Sequence, residues 1–447
     1  MLYVREELFS MDRVIVDCGA DSKCIDNAKA IQMAIDEVFS SGGGKVVVPE
    51  GVFRSGTIVL KDNVELYLEE NAVLKAVDDL TYLSLSKETG AGGLSVPSYQ
   101  NCDYDGKPKL FFLYCHKAHN VKIRGRGTID GNEEIFYGYQ DRYFIDGAFY
   151  PRMPLLYLED VSDLTIEGVT LTHSAFWTIH MVGCRYVFID HIRIRNNLKL
   201  ANCDGIDPDH CQNVEIRDCD IECADDAIVF KNTFANQKYG DLEKIHVSGC
   251  TLKSTSAAIK FGSESYGRFH DIHVEKCRIF DTNRGISFQL RDKGEIDHCL
   301  FENLSISTRC FAKPYYWGYG EPICITSVPR MEGNGIVGIH DMSFHNIMID
   351  SENGIVIYGE KKGMIRDVSF GNVSINLHRK SKWPIDRRDL RPYDRMPFIE
   401  GCRPDVISVH GAMNVIFTNF MDMVASDYAD AIGERLSIED SDQVLLD

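Results

Sequence analysis

The chain has 447 residues, 44% of them apolar, and a net charge of −19. That acidity excludes nucleic acid and an anionic membrane surface as expected partners, and no stretch approaches the roughly 18 apolar residues of a membrane span. The 15 cysteines are odd in number and lack CxxC spacing, which argues against a disulfide framework and against a zinc site, so no metal or other cofactor is expected.

The start, MLYVREELFSMDRVIVDCGA, has no continuous apolar run of the signal-peptide kind, so a cytoplasmic location is expected. Residues 14–60 read as an N-terminal cap. Asp26 is placed to cap a helix over 27–39 with Ile31, Ala34, Ile35 and Val38 on one face, and GKVVVPEG reads as a strand. FRSGTIVLKDNVELYLEENAVLKA alternates with period two, and NVKIRGRGTIDG repeats that pattern. The segments EGVTL, DHIRI, RDCDI, SGCTL, EKCRI, ENLSI, HNIMI and GNVSI then align on Val169, Ile192, Cys219, Cys250, Cys277, Leu304, Ile347 and Val373. Successive spacings are 23, 27, 31, 27, 27, 43 and 26 residues. Short strand-like units at such a period stack into a solenoid. In the Cys219, Cys250 and Cys277 column the thiols should behave as small buried hydrophobes.

Long interruptions are expected at about 80–118, 132–152, 308–330 and 379–398. The third carries Tyr315, Tyr316, Trp317 and Tyr319, which suit either a wall for stacking sugar rings or an aromatic cover over the core. The last precedes a final strand, NVIFTNF, and lies either over the groove or across the solenoid end. No low-complexity linker divides the chain, so 1–447 is read as one domain.

Three carboxylates stand out. Counting six and seven residues from the column places Asp225 and Asp226 over Ser256 and Ala257, then over Asn283 and Arg284. Asp204, one coil earlier, should come close to the pair, because stacked strands lie about 4.8 Å apart. Glycosidic hydrolysis needs one carboxylic acid to protonate the leaving oxygen and a carboxylate to activate water or to attack. Turn geometry or Ca²⁺ binding would use the same residue types. His180 and His210 lie near this stripe and read as structural or site residues, and Lys231 and Lys260 as solvent-facing strand residues or ligands.

NCDGID and CADDAIVFKN, together with DCGADSKCIDNAKAIQMAID and GGGKVVVPEGVF, resemble glycoside hydrolase family 28, the polygalacturonase family, in its bacterial form. The resemblance covers about residues 14–310. It implies an all-β, right-handed parallel β-helix of the pectin-lyase-like kind with a short N-terminal helical cap. It also implies an inverting hydrolase with Asp225 as general acid and with Asp204 and Asp226 holding the water. Asn202 fills the Asn of the Asn-x-Asp motif. Two positions depart from the pattern: the family's His position holds Ser256, and its Lys position reads Ser287 or Gln289, while Arg284 is kept. The expected substrate is a pectin-derived oligosaccharide, cut in exo fashion. Asn202, Arg284, Lys260, Glu264, Gln289, His180 and Trp317 are the candidate substrate-binding residues. A lyase or epimerase on the same fold, and a non-catalytic carbohydrate-binding β-helix, are the alternatives.

Overall fold

The protein is described from a computed structural model. The residues described are 11–83, 110–146, 152–311, 318–331, 333, 335–390 and 399–447. Trp317, Tyr315 and Tyr316 lie outside them, as does most of the 80–118 interruption.

Parallel pairing of each strand with one a coil later builds three sheets. Sheet 1 contains Val64–Leu68, Arg185–Asp190, Gln212–Arg217, Leu242–Ser248 and Arg268–Glu275. Sheet 2 contains Ala72–Ala76, Arg193–Arg195, Asp220–Cys223, Thr251–Ser254 and Arg278–Thr282. Sheet 3 contains Ile179–Val182, Ile206–Asp209, Ile228–Asn232, Ala257–Ser265 and Arg284–Leu290. Later strands bend through a corner, so that Glu295–Thr308, Gly338–Ser351, Ile365–Leu377 and Ala412–Val424 each serve sheets 1 and 2. This is the solenoid expected from the repeat, in the parallel β-helix form that the family resemblance implies.

The repeat column marks the sheet 1 to sheet 2 corner. Val169, Ile192, Cys219, Cys250, Cys277, Leu304, Ile347 and Val373 are all buried. The residue before each is left-handed in every coil: Gly168, His191, Asp218, Gly249, Lys276, Asn303, Asn346 and Asn372 have φ between 51° and 78°. Asn is tolerant of that conformation. Here it gains a second use, because Asn346, Asn372 and Asn419 each donate Nδ2 to the Asn one coil earlier, at 3.2, 3.1 and 2.8 Å. Inside the stack, Phe301, Phe344, Phe370 and Phe417 lie ring on ring, with centroids 4.5–4.9 Å apart.

Four details differ from the sequence reading. The cap helix is Ala28–Ser40 with Asn27 at its N-cap. Asp26 still serves it, because its Oδ1 accepts from the N–H groups of Ala28 and Gly56 and so ties the helix start to the first coil. Strand Leu113–Gly125 begins inside the first expected interruption, and Ile323–Ser327 lies inside the third. Two strands, Leu436–Glu439 and Asp442–Leu446, follow the one expected to be last.

The long connections share one corner. Segments 77–112, 131–155, 309–322 and 378–406 all run from sheet 2 to sheet 3. The chain from 378 reaches back over the stack: Arg284 donates Nη2 to the Asp389 carbonyl at 2.8 Å, and Trp383 packs edge-on against Tyr143.

Candidate active site

Asp204, Asp225 and Asp226 sit at this same corner, where sheet 2 turns into sheet 3. Asp225 and Asp226 lie between Asp220–Cys223 and Ile228–Asn232, and Asp204 lies two residues before Ile206–Asp209. Backbone pairing fixes their relation, because Gly205 N–H donates to the Asp226 carbonyl at 2.9 Å. The coils approach so closely that a Cβ at position 205 would stand 2.3 Å from the Ala227 oxygen, so the residue following Asp204 must be Gly. One oxygen from each of Asp204, Asp225 and Asp226 lies within 4.8 Å of the others.

Each acid has its own partners. Asp226 accepts from Ser256 Oγ at 2.9 Å, from Ala257 N–H at 3.2 Å and from Lys260 Nζ at 2.6 Å. Asp225 is half-buried and accepts on Oδ2 from both the backbone and the side-chain amide of Asn202, at 3.2 and 3.3 Å. Asn202 is itself fixed by Arg152, whose Nη2 donates to Asn202 Oδ1 at 2.6 Å. Lys231 Nζ stands 3.5 Å from Asp204, 3.4 Å from Asp207 and 4.0 Å above the Trp177 ring. A buried ammonium over Trp is stabilised by about 2 kcal/mol. Two lysines therefore supply the positive charge that a divalent cation would otherwise bring to these carboxylates.

The electrostatics separate the acids. Burial, then the nearby carboxylates of Asp207 and Asp225, hold Asp204 well above the ordinary carboxyl range, with Lys231 opposing. Burial raises Asp207 to about 7 against the pull of Lys231. Asp209, two residues on, goes the other way: burial raises it, but His180, His210 and Thr233 together bring it down to about 2.

The remaining candidates fall into place around this centre. Lys231 and Lys260 are buried and paired, so neither is the solvent-facing strand residue that the sequence also allowed. Lys260 is in register with Ser287, and Gly262 with Gln289, which continues the stripe along sheet 3. Ser287 Oγ and Gln289 Oε1 are buried with no hydrogen-bond partner among the described residues. Glu264 is buried in strand Ala257–Ser265.

Two expectations require correction. Arg284, expected to be open to substrate, is 2% exposed. Its Nε and Nη2 reach Glu321 at 3.1 and 3.3 Å. With Asp389 also beside it, the guanidinium is spent inside the protein. His180, expected at the substrate, is fully buried. Its ring meets Trp177 and Tyr157 edge-on at 4.7 and 5.2 Å, and Nε2 lies 3.5 Å from Asp209. His210 bonds the carbonyls of Gly240 and Thr233, a structural role. Tyr319 is buried, and its N–H donates to Glu321 at 2.6 Å. Sequence reading passed over Asp207, Arg152 and Trp177. The alternation in IDPD, with Ile206 inward, was the available signal for Asp207.

The sequence matches the profile of Glycosyl hydrolases family 28 over residues 44–387. A probable polygalacturonase of Vitis vinifera is 31% identical over 211 residues, which cover 46% of this chain and 41% of that protein. A probable exopolygalacturonase B of Emericella nidulans is 24% identical, over 44% of this chain and 46% of that one. The chain thus spans less than half the length of these two relatives. The Yersinia enterocolitica family 28 exopolygalacturonase shares the fold with a TM-score of 0.68 at 17% identity, covering 98% of this chain and 78% of the other. The Thermotoga maritima exopolygalacturonase does so with a TM-score of 0.58 at 17% identity, covering 96% and 92%. With the profile spanning most of the β-helix and including all three acids, the chain belongs to glycosyl hydrolases family 28.

Proposed function

We propose that the protein hydrolyses glycosidic bonds of pectin-derived oligosaccharides, releasing sugar from a chain end, with inversion at the anomeric carbon. The convergence of Asp204, Asp225 and Asp226 carries this reading. Asp225 is the most exposed of the three and is oriented by Asn202, which suits it to protonate the leaving oxygen. Asp204 and Asp226 flank the place where water would be held, and Lys260 and Lys231 fix their carboxyl groups. One oxygen of each acid lies within 4.8 Å of the others, and the anomer of the first-formed product is the direct test of stereochemistry. The length of the connections that leave the sheet 2 to sheet 3 corner, where the acids lie, supports exo action. With Arg284 committed to Glu321 and Ser287 or Gln289 at the family's Lys position, a neutral sugar such as rhamnose or galactose suits the position next to the scissile bond. The buried thiol column suits a cytoplasmic enzyme acting on imported oligosaccharides.

The deciding experiment is incubation with a panel of pectic oligosaccharides, with products read by mass spectrometry and the anomer by NMR. Products heavier by one water support hydrolysis. Unsaturated products would assign a lyase, and no turnover across the panel would leave a binding protein. Efficient release of galacturonic acid from unsubstituted homogalacturonan oligomers would overturn the neutral-sugar reading.

A further inference from the structure

The outer face of sheet 1 carries a pattern that the hydrolytic site does not use. Three successive coils read FHDI, IDHC and IHDM at 269–272, 296–299 and 339–342. In each, the flanking residues are core: Phe269 and Ile272, Ile296 and Cys299, Ile339 and Met342. Strict alternation would send only one of the two middle residues outward. The left-handed backbone at Asp271, His298 and Asp341 (φ 52°, 49° and 54°) turns both out instead. Register stacks His270 on Asp297 on His340. The result is a chequerboard of imidazole and carboxylate.

At its centre, Asp297 is fully buried. Arg268 Nε holds its Oδ2 at 2.6 Å. That leaves Oδ1 facing two ring nitrogens of the same kind, Nδ1 of His270 and Nδ1 of His298, the latter at 3.2 Å. Two tetrahedral zinc ligands at ordinary bond lengths stand about 3.4 Å apart. The other nitrogen of His270, Nε2, faces Asp271 Oδ2 at 3.3 Å. A carboxylate behind the far nitrogen fixes the tautomer that leaves Nδ1 free to ligate, and Arg268 orients the Asp in the same way. The His298 side chain is 54% exposed, so a fourth position is open to water.

The geometry points to a divalent transition-metal site of the Zn²⁺ class built from His270, Asp297 and His298, on sheet 1 and away from the corner that holds the catalytic acids. Imidazole nitrogens with one carboxylate suit zinc, nickel and copper and disfavour Ca²⁺ and Mg²⁺.

The test uses the full chain, stripped with EDTA and dialysed. Calorimetric titration with Zn²⁺ should find one site per chain, absent with Mg²⁺. Co²⁺ should give visible d–d bands without the near-ultraviolet band of a thiolate ligand, which separates this site from the cysteines. His298→Ala and His270→Ala should each weaken Zn²⁺ at least about tenfold, and Arg268→Gln about tenfold through loss of orientation. Circular dichroism checks folding. Should His270→Ala unfold, His298→Ala carries the test, because its side chain is half exposed. Unchanged affinity in His298→Ala, a thiolate–cobalt band, or no Zn²⁺ uptake by the parent protein would each overturn the assignment.

Discussion

Replacing Asp207 by Asn isolates the cost of keeping a carboxyl group beneath the active-site groove. Asp207 titrates at about 7 in the fold, against an ordinary value of 3.8. Because the folded value is raised, the group favours the fold fully below about pH 4 and loses that contribution as pH rises to about 7. From pH 5 to pH 8 the loss spans two units, or about 3 kcal/mol at 1.36 kcal/mol per unit. Asn has nearly the same shape and does not titrate, and Lys231 keeps Asp204 as a partner. Urea unfolding of both proteins at pH 5 and pH 8 reads the difference. The variant should gain about 3 kcal/mol on the parent over that interval. Removing one carboxylate beside Asp204 should also lower the Asp204 pKa, moving the acid limb of kcat/KM to lower pH. Parallel pH profiles for parent and variant, agreeing to about 0.5 kcal/mol, would refute the assignment of a raised Asp207.

Asp225→Asn should still bind oligosaccharide but lose on the order of 10²–10⁴ in kcat, because an amide cannot protonate a leaving oxygen; retention of a tenth or more of the rate removes Asp225 from that role. Arg284→Met should destabilise the fold by about 3–5 kcal/mol, by leaving the Glu321 carboxylate buried without its partner. A change confined to KM for charged sugars would instead put Arg284 at the substrate. Hydrolysis should persist in EDTA, because Lys231 and Lys260 already neutralise the acids; activity that vanishes and returns with Ca²⁺ would favour a lyase.

Sequence periodicity reaches a long way here because each coil contacts only its neighbours. Aligning eight pentapeptides places the corner column, and counting from that column stacks Ala257 on Arg284 as the register has it. Asp204, twelve residues past Ile192, lies off that count and meets the Asp pair through a longer connection. The counting fails where contacts leave the repeat. Arg284 bonds Asp389, 105 residues away, through a connection with no period of its own. His180 sits on an outward strand position, yet aromatic side chains from neighbouring positions cover it. Lys231 and Lys260 look like solvent-facing strand residues until the acids of adjacent coils claim them. The two last strands were missed because their outward positions include apolar residues, Ile438 and Leu445, which blur the alternation.

The two corners of the coil differ in what change they tolerate. At the sheet 1 to sheet 2 corner, one left-handed residue marks the turn in each of the eight aligned repeats. An inserted residue there would shift the following strand by one and send its inward side chains to the outer face. At the sheet 2 to sheet 3 corner the connection varies from a single residue, Asn283, to the 36 residues of 77–112. Lengthening a flexible loop is cheap, since doubling it costs only about 0.6 kcal/mol in closure entropy. This is the corner that holds the acids. A protein of this design can therefore acquire a new substrate by growing loops around fixed carboxylates, while the stack beneath them stays unchanged.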